Sequence, residues 1–171
     1  MNLNSLLRAY IDVGPYVVEN ADYDPNAIHR PSCAMPTFQN LTELKLGDLN
    51  IHGWEFLPHL LESAPDLEAL VFMRGIVEHE GCFAKFESSI LNCVPKCLSL
   101  HLRRMYFEEF NGEQDELELV SYFLTTAEVL REVEFSFCFF FAYRETVRYL
   151  FEVIAVAKML KVKVLYDSFR K

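Results

Sequence analysis

The stretch Pro36–Phe72, PTFQNLTELKLGDLNIHGWEFLPHLLESAPDLEALVF, holds the same short pattern twice with a helix-like segment between the copies. Leu41, Leu44 and Leu46 form an L-x-x-L-x-L frame, and Leu67, Leu70 and Phe72 repeat it. The last two apolar residues of each frame lie two apart, so they share one face of an extended strand while their neighbours share the other. A loop with Gly53 is expected after the first frame, then a helix carrying Trp54, Leu57, Leu60 and Leu61 on one side. Trp54 is expected to anchor that helix against the Leu41–Leu46 strand. A strand, a return helix and the same strand again cannot bury their apolar faces alone. The unit needs neighbours of its own kind stacked on it.

Such neighbours follow. Cys97, Leu100 and Leu102 in PKCLSLHLRR and Leu130, Val133 and Phe135 in TAEVLREVEF fit the frame, giving starts at 41, 67, 97 and 130 and intervals, by subtraction, of 26, 30 and 33. Leu3, Leu6 and Leu7 with Ala9, Ile11 and Val13 form an earlier strand-like segment, ended by Gly14 and Pro15. Leu117, Val120, Leu124 and Ala127 mark one face of a helix over about residues 113–126, and a further helix over about 143–160 leads to a terminal strand at 161–166. The fold class expected is α/β: an irregular leucine-rich-repeat-like solenoid, a curved, mostly parallel sheet of five or six strands with helices on the convex side. Leu49 stands where such repeats carry asparagine, so no regular asparagine ladder is expected there. Residues 19–36, with Pro25, Pro31 and Pro36, read as a long loop inside a single domain covering 1–171.

Composition narrows the function. Half the 171 residues are apolar, enough for a sizeable core, and the formal net charge is −9. That balance repels phosphate backbones and anionic surfaces, which argues against nucleic acid or a membrane as the main partner. The most apolar run, Ser136–Tyr143, is far shorter than the ~20 residues of a membrane span. The N-terminus lacks the basic and apolar regions of a signal peptide, and five irregularly spaced cysteines fit free thiols in a reducing, intracellular setting.

Residues 94–135, VPKCLSLHLRRMYFEEFNGEQDELELVSYFLTTAEVLREVEF, resemble the FBD domain of plant F-box/FBD/leucine-rich-repeat proteins. The likeness rests on Pro95, Cys97-Leu98-Ser99, Phe107, Phe110, Gly112, Glu116-Leu117, Tyr122-Phe123-Leu124, Ala127 and Val129-Leu130. Upstream, Trp54, Leu57-Pro58, Leu60-Leu61 and Pro65 to Leu67 are similar to the repeat that precedes the FBD in those proteins. The resemblance implies a leucine-rich-repeat-like part over 1–93 and an FBD-like part over 94–166. It also implies a role in substrate recognition for an SCF ubiquitin ligase. The family's N-terminal F-box, which docks the SCF adaptor, has no counterpart before Leu41. The chain is therefore expected not to bind that adaptor itself and to reach SCF components only through a separate F-box protein.

On a repeat sheet the residues between buried frame positions form the concave face. Those are Glu43 and Lys45, Ala69 and Val71, Ser99, His101 and Arg103, then Glu132 and Glu134, a mixed-charge row with an apolar centre at Val71 that suits a protein or peptide ligand. Other chemistry finds less support. His79, Cys82, Cys93 and Cys97 are the residues of zinc-ligand type, but Cys97 falls on a frame position and the spacing is loose, so no metal and no cofactor are expected. A small thiol- or metal-dependent enzyme using Cys82, Cys93 or Cys97 with a histidine is the alternative of another class, and a shortened product without activity of its own is the third. The acidic run Glu108, Glu109, Glu113, Asp115, Glu116 and Glu118 lacks a calcium-loop pattern and reads as a solvated loop and helix start. Phe135–Phe141 reads as core, not as a binding stripe.

Overall fold

The computed structural model describes residues 6–13, 35–49, 51–74, 94–137 and 161–166; the side chains at 13, 48–49, 51–55, 161–162 and 164–166 lie outside that description. The expected loop at 19–36, except for Met35 and Pro36, and the expected helix at 143–160 also fall outside it, as do His79, Cys82, Cys93 and Phe139–Phe141. The elements are β1 (Arg8–Val13), β2 (Glu43–Leu49), α1 (Ile51–Ser63), β3 (Ala69–Phe72), α2 (Lys96–Leu100), β4 (Arg104–Phe110), α3 (Gln114–Thr126), β5 (Glu132–Phe137) and β6 (Lys161–Tyr166). All six described strands form one sheet in chain order, and every neighbouring pair is parallel.

The stacking is regular at the entrance to each strand. The Leu7 carbonyl accepts from the N–H of Thr42 and of Glu43, at 2.9 and 3.2 Å. The Thr42 carbonyl does the same for Glu68 and Ala69, the Glu68 carbonyl for Arg103 and Arg104, and the Arg103 carbonyl for Arg131 and Glu132, all at 2.9–3.1 Å. One residue per unit thus repeats one hydrogen-bonding role, and this fixes the frame. Leu6, Leu41, Leu67, Leu102 and Leu130 precede those residues, so the frames are Leu6-Ala9-Ile11, Leu41-Leu44-Leu46, Leu67-Leu70-Phe72, Leu102-Met105-Phe107 and Leu130-Val133-Phe135.

The third frame corrects the expectation. Cys97 and Leu100 lie in the five-residue helix α2, not on a strand, and the strand follows at Arg104–Phe110. Starts at 41, 67, 102 and 130 give intervals, by subtraction, of 26, 35 and 28. Leu100 settles the matter physically: on a frame position it would be buried, whereas it is 59% exposed. Helix α1 likewise begins at Ile51, so Gly53 sits inside it and not in a loop. Pro58 interrupts α1 without ending it, since its nitrogen has no proton to give the Trp54 carbonyl. The Trp54 side chain is among those outside the description.

The core lies between one face of the sheet and the helices. Leu44, Leu46, Leu70, Phe72, Met105, Phe107, Val133 and Phe135 from the strands join Leu57, Leu60 and Leu61 of α1, Cys97 and Leu98 of α2, and Leu117, Val120, Phe123 and Leu124 of α3 in one buried cluster. Parallel register carries a phenylalanine ladder through it. Phe72 and Phe107 stack at 5.0 Å and 8°, Phe107 and Phe135 at 5.1 Å and 9°, and Phe123 of α3 meets Phe72 from above at 6.2 Å. Phe135 and Phe137 are core, as expected of that run.

Two features shape the strand exits. Phe107 pairs with Phe135 and Phe110 with Phe137, so β4 carries one residue more than β5 between the pairs, a β-bulge with Glu109 at φ 54. After it, Gly112 at φ 76 turns the chain into α3. Glu116, in the acidic run expected to be solvated, is fully buried there. One of its carboxylate oxygens accepts from the backbone N–H groups of Asn111, Gly112 and Glu113, at 3.0, 2.6 and 3.2 Å. It is the N3 residue of a capping box, and it secures the turn that joins β4 to α3.

Candidate interaction face

The described side chains between frame positions point away from the described helices. Register sorts them into rows that cross the sheet. One row runs Arg8, Glu43, Ala69, Arg104, Glu132, Lys161; the next runs Tyr10, Lys45, Val71, Tyr106, Glu134, Lys163. Ala69 and Val71 are buried yet stand apart from the helix-side cluster, as residues of the opposite face must.

Of the residues expected on this face, Glu43, Lys45, Val71, Glu132 and Glu134 stand in the rows. Ser99, His101 and Arg103 do not. Ser99 is in α2, His101 is its C-cap and lies 3.8 Å from Asp66, and Arg103 is the residue just before β4. Reading Cys97 as a strand position moved that unit's face by five residues. The residues it belongs to are Arg104 and Tyr106. The signal that would have found them was present: Leu102-Arg-Arg-Met105-Tyr-Phe107 fits the frame with two arginines in its x-x positions, where polar residues belong.

The rows are complementary in charge. Arg8 lies 3.5 Å from Glu43, Lys45 lies 3.8 Å from the same carboxylate, and Lys163 donates to Glu134 at 3.0 Å. Opposite charges on adjacent strands stabilise register modestly, by about 0.2–1 kcal/mol a pair. Val71 forms the apolar centre but keeps only 6% of its surface exposed. Its register neighbours Lys45 and Tyr106 have the longer side chains, so they present the reachable surface. At the β1 end the Tyr10 hydroxyl donates to Asp12 at 3.1 Å, directly over Gly47. A Cβ on Gly47 would come within 2.7 Å of that hydroxyl, so even alanine there displaces the Tyr10 side chain.

Cys97 is the described thiol of the alternative enzyme reading. It is fully buried, its Sγ donates to the Leu61 carbonyl at 3.4 Å, and burial pushes its pKa up to about 12. Such a thiol is protonated at neutral pH and is not a nucleophile. We expect Cys97 to resist iodoacetamide in the folded protein at pH 8 and to react once urea unfolds it, as read by peptide mass spectrometry. The raised value also carries a stability sign. Above the unfolded thiol's ordinary pKa of 9.0 the unfolded chain loses a proton that the folded chain keeps, so stability falls from about pH 9 to 12. Among the described residues no group of three metal-ligating side chains converges, and no helix is long and apolar enough to cross a membrane.

Comparison with known proteins defines the class. Residues 91–135 match the FBD family model. An FBD-associated F-box protein of Arabidopsis thaliana is 32% identical over 112 residues, covering 66% of this chain and 21% of that protein. An F-box/FBD/LRR-repeat protein of the same plant is 36% identical over 112 residues, with 64% and 22% covered. An F-box/LRR-repeat protein is 30% identical over 108 residues, with 58% and 25% covered. The chain thus carries an FBD segment and is similar to plant F-box/FBD proteins, as its motifs lead one to expect. It spans about a fifth to a quarter of the length of these relatives. No solved structure matches it.

Proposed function

We propose that the chain is a protein-interaction module of the substrate-recognition kind found in F-box proteins of SCF ubiquitin ligases. In this reading the sheet curves as a leucine-rich-repeat solenoid, residues 1–93 and 94–166 act as one domain, and the sheet face away from the described helices takes a protein or peptide ligand. Contact with SCF components runs through a separate F-box protein. The observation that carries the reading is the pair of in-register rows across six parallel strands. They offer Lys45, Tyr106, Arg104 and Glu134 side by side with no core duty. Tyrosine and arginine on a rigid surface are the residue types that dominate binding energy in protein interfaces.

The test is affinity capture from plant extract with two baits, the unaltered chain and the triple variant Lys45→Ala, Tyr106→Ala, Glu134→Ala, each checked for an unchanged melting point. The reading requires a protein held by the first bait and depleted by about tenfold or more on the second, a difference of about 1.4 kcal/mol. Equal capture by both baits refutes it.

A further inference from the structure

Among the described residues Arg8, Lys45 and Lys163 have carboxylate partners, whereas Arg103, Arg104 and Arg131 have none within ion-pair distance. All three are exposed, and all three fall inside the FBD-matched segment 91–135. The fold brings them together. Arg103 and Arg104 are consecutive, and the Arg103 carbonyl accepts the Arg131 N–H at 2.9 Å, so the three side chains spring from adjacent backbone at the entrance to β4 and β5. Neighbouring strands lie only about 4.8 Å apart, within easy reach for guanidinium groups converging on one ligand.

Acidic residues are close by in the chain. Glu68 precedes β3, Glu128 precedes the Arg131 turn, and Glu132 is in register with Arg104. None closes on a guanidinium, and among the described residues the arginines have no carboxylate partner, in a chain whose net charge is −9. Three unpaired planar donors are suited to bidentate bonds from carboxylates. Lysine would serve less well, because an ammonium cannot present two parallel N–H groups to one carboxylate.

The geometry points to Arg103, Arg104 and Arg131 as an anchor for an acidic segment of a protein partner, docked at the strand-entry end of the face proposed above. The inference rests on that reading and names the chemistry of one end of it. A partner segment with two or more Asp or Glu side chains fits. Its remaining length continues over Tyr106 and then across the sheet, past Val71, to Lys45. The chain's overall negative charge sharpens the assignment, since an acidic peptide is repelled everywhere except at a local cluster of free cations.

The experiment uses the full chain and a fluorescein-labelled octapeptide of alternating aspartate and glutamate, followed by anisotropy at low salt. The same peptide with asparagine and glutamine, and inorganic phosphate as competitor, are the control arms. Saturable binding of the acidic peptide alone is expected, weakened about tenfold or more by Arg103→Gln, Arg104→Gln and Arg131→Gln together, and left within about twofold by Lys96→Gln, an exposed cation on the helix side. Competition by millimolar phosphate as strong as by unlabelled peptide would show a simple anion site and overturn the peptide assignment. So would absence of binding, or equal binding to the triple variant. If the protein captured in the preceding experiment depends on Tyr106 and Lys45 but not on the three arginines, this inference fails while the interaction reading stands.

Discussion

Phe107→Ala is expected to destabilise the fold by about 3–5 kcal/mol, read as a drop in urea midpoint at unchanged slope. Phe107 sits at the centre of the ladder, stacked on Phe72 and on Phe135 and meeting Phe110 edge-on at 5.8 Å. Truncation removes a buried ring and leaves a gap flanked by two rigid aromatic neighbours that are themselves fixed by strand register. Those neighbours cannot collapse into the gap without breaking the sheet, so the cavity contribution is expected near the upper end for its class. Phe107→Leu keeps most of the volume and should cost distinctly less. A midpoint unchanged by Phe107→Ala would mean that the ladder does not hold the units together.

Glu116→Ala is expected to cost about 1–3 kcal/mol, because one charged acceptor serves three part-buried backbone donors and its loss leaves them without it. The damage should be local to the β4–α3 turn, where Gly112 and the bulge at Glu109 already hold the chain in a narrow range of conformations. Glu116→Gln retains an amide oxygen for the same N–H groups while losing the charge, and about half the effect is expected. Chemical denaturation measures both. Hydrogen exchange at Asn111–Glu113 should quicken in both variants, and more in the alanine one. If both variants keep the parent's stability, the buried carboxylate is not the capping element assigned to it.

These residues show where the sequence could be read and where it could not. Leu41-Leu44-Leu46, with Glu43 and Lys45 in its gaps, gave its strand by alternation, and Leu67-Leu70-Phe72 gave the next by repeating the frame, although Ala69 and Val71 in its gaps are buried too. PKCLSLHLRRMYF held two overlapping solutions. Cys97-Leu100-Leu102 and Leu102-Met105-Phe107 both satisfy the frame, and the choice depends on tertiary stacking, namely which carbonyl the Glu68 unit presents to the next strand. A five-residue helix is too short to show periodicity. The wrong frame then carried Ser99 and His101 onto the face and left Arg104 and Tyr106 off it. Glu116 escaped for another reason: a carboxylate in an acidic run looks solvated until the fold aims three N–H groups at it. The proposed function was legible only as a class, through the FBD motifs between Pro95 and Leu130, because a face of this kind is set by register and no residue type on it carries chemistry of its own.

The most direct measurement of whether the sheet face away from the described helices is the binding surface is calorimetric titration of the purified partner into three forms of the chain. These are the unaltered protein, the variant with Lys45, Tyr106 and Glu134 replaced by alanine, and a helix-side variant with exposed Glu62 and Thr125 replaced by alanine. The structure predicts that the face variant binds weaker by about tenfold or more while the helix-side variant stays within about twofold. Weakening confined to the helix-side variant would contradict it and place the interaction on the other side of the molecule.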